Sequence, residues 1–113
     1  MKSNGESEQI MAAELVMAEE AEQDVADAYR YYERQRVGLG EDFLSKIDAR
    51  IHEVLRFPKA NRFFHLDYRR ALVRKFPYGI FYTYDEADDR VVVYCIFHMS
   101  RDRKKLMERL SQY

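Results

Sequence analysis

The stretch "YGIFYTYDEADDRVVVYCIFHMSRD", residues 78–102, decides the fold of this 113-residue chain. Residues 78–84 and 90–97 are rich in aromatic and β-branched side chains, which suit a pleated, half-buried surface. The five residues "DEADD" between them are short enough to close an antiparallel hairpin. Their carboxylates (Asp85, Glu86, Asp88, Asp89) read as turn-formers rather than as an acid–base pair. Alternation puts Tyr78, Ile80, Tyr82 and Tyr84 on one face of the first strand and Phe81 on the other. The second strand is apolar on both faces, with Val91, Val93, Cys95 and Phe97 set against Val92, Tyr94 and Ile96. A strand of that kind belongs in the middle of a sheet. It ends in His98, Ser100, Arg101 and Asp102, which are either a functional device or the wet end of a strand.

Working outward, "FFHLDYRRALVRKF" (63–76) joins the hairpin through "FPY" and reads as one further strand. Arg70, Leu72 and Arg74 fall on one face, Ala71 and Val73 on the other. One sheet face is therefore expected to take helices, and the other to be partly open and basic. Before residue 62 the period is 3.6. Ala21, Val25, Ala28, Tyr29 and Tyr32 trace one face of a helix over 19–36, acidic at its start and basic at its end as the helix dipole favours. Gly38 is placed to cap it. Leu44, Ile47, Ile51, Val54 and Leu55 mark a second helix from about Glu41 to Phe57, stopped by "FP". So short a link makes the two an antiparallel hairpin.

"AELVMA" (13–18) reads either as an edge strand or as a first helical turn. "RDRKKLMERLSQY" (101–113) reads as a short basic helix or a flexible tail. Residues 1–12 are polar and expected to fray, which leaves a single domain over 13–113. The fold class is α+β, a helical hairpin packed on a small antiparallel β-sheet.

The net charge of −1 hides an asymmetry. Residues 1–60 carry 8 basic and 13 acidic side chains, residues 61–113 carry 11 and 7. Either the second half meets an anionic partner, or the halves complement each other within one fold. The lone Cys95 lies in the most apolar run, as a buried thiol in a reducing compartment would. His52, His65 and His98 have no metal-ligand spacing, and neither metal nor cofactor is expected. No apolar run approaches the ~18 residues of a membrane span, and "MKSNGESEQI" shows no secretory signal. A cytoplasmic location follows as the default. Gly-rich phosphate loops and nucleophile elbows are absent from the sequence.

Four basic groups stand on or beside strands: Arg70, Arg74, His98 and Arg101. Metal-free RNA cleavage needs a base, an acid and a cation for the phosphorane charge. His98 suits the proton transfers near neutral pH, and the arginines suit a bidentate hold on phosphate. The alternative is structural: solvated arginines, or pairs with Asp67 and Glu86, and a His98 bonded to neighbouring backbone.

The ordered set "ELVMAEEAEQDVADAYRYYERQRVGLGEDFL", "FP", "YRRALVRKFPYGIFYTY" and "VVVYCIFHMSRD" resembles the RelE/ParE toxins of bacterial type II toxin–antitoxin modules. The likeness runs from residue 14 to about 109. It implies a β-α-α-β-β-β order, with "AELVMA" as the first strand. It also implies a small antitoxin partner whose acidic segment covers the apolar groove and basic sheet face. A homodimer or a toxin–antitoxin hetero-oligomer is the implied assembly, without a membrane. RelE-like members cut mRNA on the ribosome; ParE-like members inhibit DNA gyrase. Arg101 matches the arginine after the last strand of the RNA-cleaving members, and Arg70 and Arg74 match basic strand positions. Two matches fail. The nucleases' arginine after the turn tyrosine is Gly79 here, and their C-terminal tyrosine falls near Met107, with Tyr113 too late. The expectation is a ParE-like growth inhibitor. The alternatives are a RelE-like, metal-independent endoribonuclease and a non-catalytic binding module.

Overall fold

The computed structural model describes residues 12–113. The polar stretch expected over 1–12 lies, apart from Ala12, outside the described residues. The elements are β1 (Glu14–Met17), α1 (Glu19–Gln35), α2 (Leu39–Arg56), β2 (Phe63–His65), β3 (Tyr68–Leu72), β4 (Tyr78–Asp85), β5 (Arg90–His98) and α3 (Arg103–Leu110). Their sheet order is β1-β5-β4-β3-β2, so β5 with its two apolar faces is interior, as expected. The β2–β3, β3–β4 and β4–β5 pairs are antiparallel. "AELVMA" is a strand and lies parallel to β5, from Glu14 beside Arg90 to Met17 beside Val93. The antiparallel ribbon thus gains one parallel edge strand, and the sheet is mixed. β1 satisfies backbone groups along the edge of β5 that would otherwise lack partners.

Residues 63–76 are not one strand. The chain reverses at Leu66, whose φ is 49°, and β2 folds back on β3 with His65 beside Tyr68. Asp67 beside it is a residue that favours turns. The ladder ends again at Leu72, and Lys75 with φ 71° turns the chain into β4. Arg74 therefore leaves the strand that carries Arg70.

A second departure lies within β5. Phe81 pairs with Cys95 but Tyr82 pairs with Val93, so Tyr94 is an extra, bulged residue. A bulge shifts the alternation by one residue. Val91, Val93 and Ile96 consequently face the helical hairpin, while Cys95 and Phe97 face the other way. Simple alternation had placed Val93 and Cys95 together.

The helices follow their apolar stripes. Ala21, Ala28 and Tyr32 of α1 and Phe43, Ile47, Ile51 and Val54 of α2 are buried with Ala71, Tyr78, Ile80, Tyr82 and Val91 of the sheet. The turn between them is stapled by Glu33, whose carboxylate accepts from the N–H groups of Gly38 and Gly40. Gly38, with φ 93°, sits before α2 in the left-handed region that glycine tolerates, and α2 opens at Leu39 rather than near Glu41. The basic C-terminal segment is a helix. Asp102 caps α3 by accepting from the Lys104 N–H at 2.9 Å. Leu106 and Leu110 bury against Tyr68, Phe81, Cys95 and Phe97 on the second sheet face. α3 thus covers part of that face. No described helix is long and apolar enough to cross a membrane.

Cys95 is fully buried, and burial pushes its thiol from 9.0 up to about 12. The folded chain keeps a proton there that the unfolded chain releases above pH 9. Stability is therefore expected to fall as pH rises from about 9 to 12, by up to about 1.4 kcal/mol per pH unit for one such group. Urea unfolding at stepped pH checks this. Cys95→Ala should flatten the decline between pH 9 and 10, and an unchanged slope would remove Cys95 as its source.

Candidate functional site: the cleft at the end of β5

The end of β5 and the outer face of α1 form a cleft of about 330 Å³, lined by Asp24, Asp27, Tyr31, Tyr78, His98 and Arg101 among others. The tight turn after β5 places Arg101, its N–H donating to the His98 carbonyl at 3.1 Å. The guanidinium lies 5.0 Å from the Phe97 ring centre, a cation–π arrangement that orients it. Among the described residues no carboxylate pairs with Arg101.

The His98 ring stands edge-on to Tyr78, with centroids 5.1 Å apart. Its Nδ1 accepts from the Ser100 N–H at 3.1 Å and lies 2.8 Å from the Ser100 hydroxyl. In the neutral ring the proton therefore sits on Nε2, the nitrogen left for a ligand. Burial pushes the Tyr78 hydroxyl from 10.0 up to about 12, with nearby Arg101 pulling the other way. Tyr78 thus stays protonated at neutral pH: it donates hydrogen bonds and is a poor base.

Both acids of the cleft are engaged. Asp24 accepts two hydrogen bonds from Arg109 of α3, at 3.2 and 2.9 Å, and a third from the Ile96 N–H at 3.0 Å. Asp24 takes over where β1 has ended and β5 has lost that neighbour. Asp27 accepts from Arg30 at 2.6 Å and Gln23 at 2.9 Å. The charge left uncompensated is that of Arg101, so the cleft favours an anionic group.

His98 and Arg101 are therefore brought together; Arg70 and Arg74 are not among the residues lining their cleft. Arg70 lies on the other sheet face, its guanidinium 5.1 Å from the Phe64 ring centre. Arg74 turns toward Glu53 of α2, 3.8 Å away. The expected acceptors Asp67 and Glu86 pair with neither; Glu86 is taken by Lys59. Tyr31 and Tyr78 are the cleft residues that sequence reasoning missed. Tyr31 sits off the apolar stripe of α1 and is 55% exposed, a signal visible only as an aromatic out of phase.

The two failed matches also have a location. A Cβ on Gly79 would lie 2.9 Å from the Met99 sulfur, 3.1 Å from the Phe81 ring and 3.2 Å from Cγ of Arg70. No larger side chain fits there without displacing these neighbours. Tyr113 packs on Tyr94, centroids 4.7 Å apart, and does not line the cleft.

The family model of the ParE toxin of the type II toxin–antitoxin system, parDE, matches residues 15–103. No curated protein sequence matches the chain. Among solved structures, the chromosomal ParDE toxin–antitoxin system of Pseudomonas aeruginosa superposes with a TM-score of 0.67 at 14% identity, covering 80% of this chain and 99% of that one. The isolated RelE toxin of Escherichia coli gives 0.58 at 20% identity, covering 88% and 99%. The toxin–antitoxin complex RelBE2 of Mycobacterium tuberculosis gives 0.58 at 12%, covering 81% and 97%. At these identities the structures share the fold. The family model spans most of the described chain, from β1 to the first residue of α3, and the protein is a member of the ParE toxin family of type II toxin–antitoxin systems.

Proposed function

We infer that this chain is a ParE-like growth inhibitor that acts by binding its target through the Arg101 cleft, and that a cognate antitoxin silences it by covering that cleft. The observation that carries this is Gly79, which offers no phosphate-binding arginine and where a side chain would have to displace Met99, Phe81 and Arg70. The nucleases' tyrosine falls near Met107, which cannot exchange protons. Each missing general acid–base group costs about 10²–10⁴ in rate. The target class is DNA gyrase, by analogy with the family, and the place of action is the cytoplasm. An acidic antitoxin side chain would meet Arg101 and the donors of Tyr78 and His98.

A RelE-like endoribonuclease is the second reading, favoured by the one cleft shared by His98 and Arg101. A binding module without toxicity is the third. Expression in a sensitive bacterium separates them. DNA-damage response with filamentation supports the first, arrested translation with cleaved mRNA the second. Absence of any growth defect sinks both toxin readings. Arg101→Ala is expected to abolish toxicity with an unchanged circular dichroism spectrum, since the side chain is exposed and unpaired among the described residues. Full toxicity of that variant would remove Arg101 from the site.

A further inference from the structure

Asp24 is the more buried of the two acids that line the Arg101 cleft. Its side chain is 17% exposed, against 61% for Asp27. Water and salt screen an exposed carboxylate such as Asp27, whereas a part-buried one keeps most of its field. Standing alone, Asp24 would repel an anion approaching Arg101. It does not stand alone. Arg109 of α3 donates to both of its carboxylate oxygens, at 3.2 and 2.9 Å. Arg109 is not among the residues lining the cleft, so it meets this charge from behind the wall. Its side chain is 23% exposed, and its Nε is buried with no partner among the described residues.

The neighbouring contacts do not by themselves require two formal charges. The Ile96 N–H donates to Asp24 at 3.0 Å and ties α1 to β5. An amide oxygen can accept that bond in place of a carboxylate. α3 is held independently by Leu106 and Leu110, which bury against Tyr68, Phe81, Cys95 and Phe97. The Tyr68 hydroxyl adds a bond to the Leu110 carbonyl at 2.8 Å. What the charges supply is a sign. With Arg109 behind it, Asp24 adds no net charge to the wall, and Arg101 is left to set the cleft's preference.

We propose that Arg109 is a specificity-determining residue of the cleft: it neutralises Asp24 from behind and so lets an anionic group seat on Arg101. Resting on the reading that ligands meet Arg101, this assignment explains why a part-buried carboxylate in the wall does not defeat binding. It also separates two duties of the same ion pair. Holding α3 in place needs hydrogen bonds and packing, whereas admitting an anion needs the charges to cancel.

Inorganic phosphate is the probe, titrated into the full chain while the amide NMR signals of Ser100 and Arg101 are followed. Three variants change the charge and leave amide groups to hydrogen-bond: Asp24→Asn, Arg109→Gln, and both together. Asp24→Asn should tighten phosphate binding and Arg109→Gln should weaken it, each by about fivefold for one charge in a part-buried wall. The double variant restores a neutral wall, so its affinity should return to within about twofold of the unaltered chain. A pair that merely holds α3 predicts another order, with weaker binding in every variant and the double no better than either single. Arg101→Ala should remove the shifts altogether. Unchanged binding in Arg109→Gln, weaker binding in Asp24→Asn, or a double variant as weak as Arg109→Gln would each overturn the assignment and leave Arg101 as the seat. Absence of shifts in the unaltered chain would overturn both. Circular dichroism checks the fold of each variant; should Arg109→Gln lose helix, the direction of the Asp24→Asn change still decides.

Discussion

Phe43→Ala is expected to cost about 4 kcal/mol of folding stability, within the usual 3–5 kcal/mol for a buried phenylalanine. Phe43 is fully buried among three other rings. It lies 5.3 Å from Tyr32, 5.3 Å from Phe76 and 5.1 Å from Tyr78, centroid to centroid. Truncation removes dispersion contacts on three sides, and rings held by α1, the β3–β4 link and β4 cannot all collapse into the void. Small domains have roughly 5–15 kcal/mol to lose, so urea denaturation should show a large drop in midpoint with little change in slope. A second consequence reaches the cleft. Tyr78 is both a wall of the cleft and a neighbour of Phe43, and burial is what pushes its hydroxyl up to about 12. Water entering the void should bring that value back toward 10, which absorbance titration of the tyrosinate reads. A loss below about 2 kcal/mol would mean that the rings close over the gap.

Asp24→Ala should be the most damaging change at a polar position, at about 3 kcal/mol. It leaves the Arg109 guanidinium and the Ile96 N–H without their acceptor. Breaking a buried pair from one side costs about 3–5 kcal/mol, and the residual exposure of these side chains (17% and 23%) favours the low end. Arg109→Met in the same chain should recover part of the loss, because methionine needs no partner; the Ile96 N–H stays orphaned. The damage is expected to appear first as release of α3, seen as faster proteolysis within residues 103–113. Equal proteolysis of both chains would show that Leu106 and Leu110 hold α3 without the ion pair.

Where local pattern decides structure, the chain could be read directly. The stripes of α1 and α2 repeat at the helical period over many residues: Ile47, Ile51 and Val54 of α2 are buried as expected, Leu44 and Leu55 are partly buried, and Phe43, outside the expected stripe, is fully buried. β5 is interior because both its faces are apolar, which needs no knowledge of its neighbours. The exceptions arise where one residue outweighs a period. Leu66 in the left-handed region divides residues 63–76, although the aromatic and apolar side chains there suit a strand and Asp67 beside it is the one turn-favouring neighbour. Tyr94 bulges and sends Cys95 to the face opposite Val93. Period-2 reasoning contains no term for an inserted residue, so it cannot place either break.

The site shows the same division. Arg101 and His98 are two turn residues apart on one strand end, and chain proximity alone puts them in one cleft. Arg70 and Arg74 share that basic character but not the place: β3 aims Arg70 at the second sheet face, and the end of the ladder turns Arg74 to Glu53. By itself the sequence determined the α+β class, the helical hairpin, the central strand and the family resemblance, because each rests on periodicity or on ordered local text. Only the tertiary structure decided that Asp24 joins α3 to β5 and that Tyr31 and Tyr78 flank Arg101. Those are distances between segments remote in the chain, set by side-chain packing across the sheet, and no local pattern encodes them.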